Sequence, residues 1–254
     1  MTLFEVVAIL LAGIAAGGIN TLVGSGTLIT FPTLLAFGVP PVTANVSNTI
    51  GLAPGSLSGA IGYRRELSGQ RSRVLRLSVA SLIGGLLGAV LLLVLPSSAF
   101  EAIVPALILL GLVLVIFQPR IAAWVARRHE SVGGLPHHGA WWVRPGVLGA
   151  GMYGGYFGAA QGVLLMAVLG IGIDEDLQSL NAIKNVLSAI VNAVAGLTFA
   201  FVADVDWWIV LLIGVGSAIG GQLGATVGRR LPPLGLRIVI VLVGTVALAV
   251  FMLG

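Results

Sequence analysis

The chain has 254 residues, of which 57% are apolar and only 9% are charged, whereas a soluble domain carries about 25% charged residues. So few charges cannot cover a water-exposed globule, which excludes an ordinary soluble protein. The net charge of +4 does not indicate nucleic-acid binding, because the basic residues cluster beside apolar runs, as they do in the cytoplasmic loops of membrane proteins. The composition predicts an all-α polytopic membrane protein.

Eight apolar runs follow one another along the chain, and two are longer than a single crossing needs. They lie at about residues 3–37, 41–62, 74–95, 99–117, 145–172, 178–202, 207–227 and 234–254. The first run is interrupted at Gly24-Ser25-Gly26, and the fifth at Gly151, Gly154, Gly155, Gly158 and Gly162. We expect each of these two runs to form a glycine-broken helix or a hairpin that enters and leaves on one side. The other six runs are predicted crossings.

The basic residues predict the orientation in the membrane. They form three clusters: Arg64, Arg65, Arg71, Arg73 and Arg76; Arg120, Arg127, Arg128 and Arg144; and Arg229, Arg230 and Arg237. If the loop after Tyr63 is cytoplasmic, counting the crossings places all three clusters inside, in agreement with the positive-inside rule. The same count places both termini and the loop at Asp204 outside.

The two halves of the chain repeat each other at an offset of 136 residues. Residues 81–89 match residues 217–225 at seven of nine positions, and the same offset pairs Asn45 with Asn181. We therefore expect a first transmembrane repeat at residues 1–117, a cytoplasmic connecting loop at 118–144 and a second repeat at 145–254, all within one membrane domain. Each repeat has one broken hairpin and three crossings, an odd number, so the repeats should be inverted as in many secondary transporters.

Small-residue motifs within these repeats permit close helix packing. Gly84 and Gly88, and likewise Gly220 and Gly224, are spaced four residues apart. Such spacing lets two helix backbones approach each other. The contact is possible within one chain or between chains, which leaves a homo-oligomer open.

The predicted substrate site lies at the two breaks, because carriers with inverted repeats bind near the midplane where broken helices direct backbone N–H groups at the substrate. The candidate residues are Asn20, Ser25 and Thr27 at the first break, Tyr156 and Gln161 at the second, and Asn45, Asn48, Asn181, Lys184 and Asn185 on the helices that follow. This set is rich in hydrogen-bond donors and contains no carboxylate. The alternative is that small polar residues only hold helices together.

Lys184 is the basic residue that lies apart from the three clusters. It follows Asp176 by eight positions, which is about 12 Å along a helix. A lysine within the membrane is costly and indicates a functional role, and facing the cavity it would select an anion. Alternatively its side chain reaches back to the cytoplasmic edge.

Several chemistries find no support in the sequence. No Asp, Glu or His lies deep within a predicted crossing, so the usual residues of a proton relay are missing. No acid, base and nucleophile come together, so we expect no enzymatic activity. The chain has no cysteine, and its histidines, His129, His137 and His138, lie in the connecting loop. We predict neither a metal site nor a cofactor.

Four segments resemble the sulfite exporter TauE/SafE family of anion permeases, which includes proteins like the toluenesulfonate uptake permeases. They are Gly17–Pro32, Ala44–Thr49, Tyr63-Arg64-Arg65 and Leu180–Asn185. The resemblance covers nearly the whole chain, although Ser25 and Thr27 stand where the family usually has consecutive glycines. It implies a carrier in the bacterial cytoplasmic membrane that exports sulfite or a small organosulfonate.

The interpretation from sequence is therefore an exporter of a small sulfur-containing anion that works by alternating access, with the anion and the lipid bilayer as its partners. A permease for a different small anion is one alternative. Another is a membrane assembly protein that transports nothing and acts through its basic cytoplasmic loop.

Overall fold

The computed structural model describes residues 1–131, 139–226 and 233–253, and within these ranges the chain forms ten α-helices and no strand. The helices are α1 (Leu3–Leu22), α2 (Thr27–Ala36), α3 (Pro41–Gly62), α4 (Arg71–Val94), α5 (Ser97–Ser131), α6 (Val143–Tyr156), α7 (Gln161–Gly172), α8 (Leu177–Val202), α9 (Trp207–Thr226) and α10 (Pro233–Leu253). The predicted all-α fold class is confirmed. Arg229, Arg230, His137 and His138 lie outside the described residues.

Both long apolar runs are broken helices, as predicted. The first run forms α1 and α2, separated by residues 23–26, and the fifth forms α6 and α7, separated by residues 157–160. Among the described residues, α1, α4, α5, α8 and α9 are long and apolar enough to cross a membrane, whereas α2 and α7 are apolar but shorter. The re-entrant path of the two broken runs stays a prediction.

Helix α3 carries polar side chains that are buried inside the protein. It has 22 residues, enough for a crossing, but its polar side chains lower its mean hydropathy. Asn45, Ser47 and Asn48 are fully buried, so these groups face the protein interior and not lipid. The helix is thus shielded from the bilayer on its most polar side.

Helix α5 extends further than its apolar run. It continues to Ser131, so the first half of the connecting segment 118–144, expected to be a loop, is helical. The residues after Pro119 include Ala122, Ala123 and Ala126, which favour helix. Hydropathy indicates where a helix leaves an apolar environment, whereas propensity and hydrogen bonding decide where it ends.

The helix packing repeats between the two halves. Each helix of the first half, α1 to α5, corresponds to the helix five places later in the second half. By this relation the contact of α1 with α9 corresponds to the contact of α6 with α4. The contact of α3 with α9 corresponds in the same way to that of α8 with α4. Contacts of α2 with α10 and of α5 with α7 correspond in the same way, and α3 packs on α8. Asn192 Nδ2 donates to Ser56 Oγ at 2.9 Å, and these residues are 136 positions apart. If a two-fold axis relates the two halves, a contact between equivalent residues lies close to that axis.

The glycine motifs pack helices within this chain. A Cβ added to Gly220 would lie 1.9 Å from the Ile14 carbonyl oxygen on α1, and one added to Gly88 would lie 2.0 Å from the Met152 carbonyl oxygen on α6. Only glycine permits these backbone contacts. Both motifs are thus used inside the protomer, and a homo-oligomer would need other surfaces.

Large apolar side chains cover the outside of the bundle. On α4, Leu82 and Leu86 are 45% and 42% exposed, and on α9, Leu211 and Val215 are 53% and 48% exposed. In water such surfaces would be unfavourable, whereas lipid covers them at no cost. With five helices of crossing length, these surfaces describe a multi-pass membrane protein.

Candidate functional site

The first helix break, between α1 and α2, is stabilised by a side chain of α1. Gly24 adopts φ +84°, a left-handed conformation that favours glycine, and this turns the chain out of α1. Asn20 Oδ1 accepts a hydrogen bond from the Gly26 backbone N–H at 2.9 Å. The candidate Asn20 therefore fixes the N-terminal end of α2.

The second break has a different local solution. Gly158 adopts φ +79°, and Ala160 adopts φ +59° although it carries a Cβ. A left-handed alanine costs about 1–2 kcal/mol, so the surroundings must impose this conformation. The Tyr153 hydroxyl donates to the Ala159 carbonyl oxygen at 2.6 Å and supports the break from within α6.

The two breaks contact each other directly. The Gly162 backbone N–H donates to the Gly24 carbonyl oxygen at 3.0 Å. A Cβ on Gly24 would lie 2.3 Å from the Gly162 Cα, and one on Gly162 would lie 2.4 Å from the Gly24 Cα. Nearby, the rings of Phe31 and Phe157 pack edge to face with centroids 5.1 Å apart. The halves therefore join at the points where their helices are interrupted.

Helix α8 directs an ammonium and two amides at the end of α1. Lys184 Nζ donates to the carbonyl oxygens of Asn20 at 3.2 Å and Thr21 at 3.0 Å. Asn181 Nδ2 and Asn185 Nδ2 each donate to the Thr21 carbonyl oxygen at 3.3 Å. These carbonyls belong to the last turn of α1, where the helix dipole is negative. Lys184 is fully buried, so its side chain lies inside the protein.

Helix α3 makes the corresponding contact with the other half. Asn45 Nδ2 donates to the Tyr156 carbonyl oxygen, the last residue of α6, at 2.9 Å. Asn45 and Asn181 are equivalent at the offset of 136, and each donates to the end of a broken helix in the opposite half. Each break is thus stabilised by an asparagine of the opposite half.

Asn48 acts within its own half. Its Oδ1 accepts from the Thr30 hydroxyl, and its Nδ2 donates to Thr27 Oγ1 at 3.4 Å. At the offset of 136, Asn48 corresponds to Lys184, which contacts the opposite half. Equivalent positions therefore have different partners, and Thr30, absent from the candidate set, belongs to this local network.

Five of the ten candidates keep a buried polar atom without a hydrogen-bond partner in the described part of the chain. The atoms are Ser25 Oγ, Asn45 Oδ1, Tyr156 OH, Gln161 Nε2 and Asn181 Oδ1. Buried polar groups are nearly always paired with protein or water. These atoms therefore require water or a ligand, and they lie at both breaks and on both helices that follow them.

One ion pair joins the halves away from the breaks. Arg73 Nη1 on α4 lies 2.8 Å from Glu175 Oε1, in the connection before α8, and Arg73 also donates to the Gln70 side chain. Burial raises the pKa of Glu175, but the hydrogen bonds from Gln70 and Arg73 and the charge of Arg73 outweigh it and lower the pKa overall. The members of this pair are 102 residues apart, so no local pattern in the sequence indicates it.

Among the residues described, the site contains no metal cluster, and a large cavity lies elsewhere in the protein. No group of three His, Cys, Asp or Glu residues there has the geometry to hold a metal ion. A cavity of about 820 Å³ lies at the end of α2 beside α10, lined by Pro32, Phe37, Glu101 and Leu242 among others. None of the ten candidate residues lines this cavity.

The fold and the site define an integral membrane protein with an internal polar centre between two broken helices. Residues 9–252 match the family described as Sulfite exporter TauE/SafE. The chain therefore belongs to this family of membrane transporters.

Related proteins carry the same general description. A probable membrane transporter protein, ORF9, of Sinorhizobium sp is 27% identical over 264 residues, which covers 99% of this chain and 94% of the relative. The probable membrane transporter protein YfcA of Escherichia coli K12 is 27% identical over 236 residues, covering 91% and 83%. YdhB of Bacillus subtilis, also described as a probable membrane transporter protein, is 25% identical over 246 residues, covering 95% and 96%. No solved structure gives a significant match.

Proposed function

We propose that this chain exports a small sulfur-containing anion, sulfite or an organosulfonate, across the bacterial cytoplasmic membrane. The anion binds beside the contact between the two helix breaks, and the two inverted halves move against each other so that the site opens alternately to each side. This proposal assigns the ten candidate residues to binding and to the support of the breaks.

The electrostatics of the site favour an anion. Lys184 brings a basic group to the first break, and the candidate set contains no carboxylate. Ser25 Oγ, Tyr156 OH and Gln161 Nε2 are donors without a partner among the described residues. Oxyanions accept several hydrogen bonds at once, and charge-assisted bonds are roughly twice as strong as neutral ones. An anion stabilises the protonated form of Lys184, whereas a cation disfavours it.

The observation that carries the proposal is that five of the ten candidates have a buried polar atom without a partner among the described residues. A purely structural polar interface would pair its groups, because each unsatisfied buried group costs about 1–3 kcal/mol. Ser25 Oγ, Tyr156 OH and Gln161 Nε2 are donors to an oxyanion. Asn45 Oδ1 and Asn181 Oδ1 are acceptors for a hydroxyl of the substrate or for water that travels with it.

The test is transport by the purified protein in proteoliposomes. Uptake and efflux are measured with sulfite, sulfate, methanesulfonate and taurine, and with sodium as a cation control. We expect flux of a sulfur-containing anion that Ser25→Ala reduces. Thr198→Val is the matched control, because Thr198 bonds only within its own helix, to Val194 O at 2.9 Å. Absence of flux for every anion would instead favour an assembly protein that acts through its basic loop.

The orientation is part of the same proposal. We expect reporters fused after Arg71, Arg128 and Arg230 to be cytoplasmic and one at Asp204 to be external, because basic loops are retained inside. A cytoplasmic signal at Asp204 would contradict the inverted arrangement of the two halves.

A further inference from the structure

Lys184 is a buried cation for which the described structure offers no carboxylate partner. Its side chain is fully buried, and its two hydrogen bonds go to neutral carbonyl oxygens. Isolated buried charges are costly unless they are paired. The proposed anion-binding role leaves open how the protein carries this charge when no anion is bound.

The helices packed around α8 supply no nearby acid. These helices are α1, α3, α4, α6 and α7. Their titratable and charged residues, with those of α8 and its ends, are Glu5 on α1; Arg71, Arg73 and Arg76 on α4; Arg144, Tyr153 and Tyr156 on α6; Asp174 and Glu175 after α7; and Asp176 and Lys184 on α8. Helix α3 contributes none within its bounds, but Tyr63, its C-terminal cap, shares a buried cluster with Ala182 of α8, and Glu66 lies in the connection to α4. Asp176 caps α8 through Gln178 and Ser179, and Glu175 pairs with Arg73.

The two hydrogen bonds of Lys184 are compatible with either protonation state. A neutral amine has two N–H donors and a lone pair, which is enough for the carbonyl oxygens of Asn20 and Thr21. An ammonium has a third N–H donor. Protonation thus adds one donor and one positive charge without breaking the contacts that hold α1, and both additions favour an anion.

We infer that Lys184 couples anion transport to a proton, an inference that rests on the proposed anion-binding function. With the site empty, the amine is neutral and bonds to the two carbonyl oxygens of α1. When the anion enters, the nitrogen lone pair takes up one proton from water on the loading side, and the new ammonium N–H faces the anion. On the opposite side the anion leaves, the N–H bond breaks and the proton returns to water. One monoanion and one proton therefore move together, with no net charge.

The first experiment measures proton uptake on binding to the purified full-length protein. Titration calorimetry with methanesulfonate is carried out in buffers of different ionisation enthalpy, at a pH above neutrality. Methanesulfonate stays ionised throughout, so any proton taken up enters the protein. We expect close to one proton per bound anion for the native protein and none for Lys184→Gln or Lys184→Arg, because a guanidinium does not lose its proton.

Asn185→Gln is the matched control. Asn185 lies beside Lys184 and donates to the same Thr21 carbonyl oxygen, but its amide does not titrate. This variant should keep the proton uptake even if its affinity changes. If only sulfite binds, the uptake is taken as the difference between the native protein and Lys184→Gln, because the proton equilibrium of free sulfite is common to both.

The second experiment uses proteoliposomes with an imposed pH gradient or an imposed potassium diffusion potential. The native protein should distribute the anion according to the pH gradient and ignore the potential. If Lys184→Gln still transports, its anion distribution should follow the potential. A native distribution that follows the potential alone would overturn the coupling.

The outcomes separate this inference from the proposed function. If the native protein neither binds nor moves any anion, the proposed function fails. If it binds and moves anions without proton uptake, or if Lys184→Gln takes up the same proton, only the coupling fails. Should both Lys184 variants fail to fold, the native calorimetry decides alone, because zero proton uptake contradicts the coupling.

Discussion

The two helix breaks share one scaffold but differ in chemistry. At the first, the fully buried amino group of Lys184 and two amides from α8 donate to the terminal carbonyls of α1. At the second, the amide of Asn45 on α3 is the one side chain among the described residues that donates to the terminal carbonyl of α6. The backbone differs too, since a glycine provides the left-handed residue at the first break, and a glycine and an alanine do so at the second.

This difference shows what duplication preserves. Both halves need a broken helix whose exposed carbonyls are satisfied by the opposite half, since unpaired backbone groups are costly within a membrane. If the site binds one anion, as proposed, a single counter-charge is enough. The halves therefore keep the same packing while only the second supplies a lysine, and the two faces of the site are chemically unequal.

The largest expected effect comes from breaking the contact that both breaks share. Gly24→Ala places a Cβ 2.3 Å from the Gly162 Cα and also at φ +84°. Overpacking costs about 1–3 kcal/mol and a left-handed side chain about 1–2 kcal/mol, so we expect a loss of roughly 2–5 kcal/mol, measured by thermal unfolding in detergent. Gly38→Ala is the control, because Gly38 has φ +76° with nothing within 4 Å and should lose only about 1–2 kcal/mol. Equal losses would show that the breaks are not tightly joined.

The next largest effect concerns the charge that only the first break carries. Lys184→Gln removes one charge-assisted hydrogen bond to the anion, worth about 1.5–3 kcal/mol, so affinity should fall by roughly ten- to a hundredfold. Isothermal titration of the purified protein measures the change. Lys184→Arg should not restore native affinity, because a planar guanidinium has a different geometry. Native affinity in both variants would assign binding to the amides and backbone alone.

A smaller effect tests whether the anion touches both breaks. Ser25 and Gln161 occupy equivalent positions, and each has a buried polar atom without a protein partner in the described chain. Ser25→Ala and Gln161→Met each remove one neutral donor worth about 0.5–1.5 kcal/mol. We expect each variant to weaken binding by roughly two- to tenfold. If one variant binds with native affinity, the anion sits at the other break alone.

The smallest effect concerns the ion pair that joins the start of α8 to α4. At the offset of 136 residues, Glu175 corresponds to Val39 and Arg73 corresponds to Ile209. Both of these residues are apolar, so the equivalent positions cannot form an ion pair. The pKa of Glu175 is lowered in the folded protein, so its stabilisation is present above the unfolded value of about 4.3 and is lost as the pH falls through the lower folded value. A partly exposed pair contributes up to about 1 kcal/mol.

A double-mutant cycle measures this contribution. Unfolding of the native protein, Arg73→Gln, Glu175→Gln and the double variant is followed at neutral and at acid pH. We expect a coupling of up to about 1 kcal/mol at neutral pH that disappears in acid. A coupling that persists in acid would have to come from packing and not from charge.

Sequence alone determined the membrane class, the all-α fold and the position of the first break. For the second break it indicated glycines from Gly151 to Gly162, of which Gly151, Gly154 and Gly155 lie within α6. Long apolar runs with few charges have no stable alternative to helices in lipid, and glycines within such runs weaken helix at predictable places. The family resemblance rested on the same local segments. The continuation of α5 to Ser131 escaped prediction because hydropathy does not report helix propensity beyond the apolar region.

Tertiary structure alone decided which groups meet. The sequence left Lys184 with two possible directions, because a long flexible side chain reaches either the interior or the membrane edge, and only the packing of α8 near the end of α1 chose the interior. The Gly24 contact with Gly162 and the Arg73 pair with Glu175 join residues more than a hundred positions apart. Such contacts depend on how whole helices pack, and no local pattern of residues specifies them.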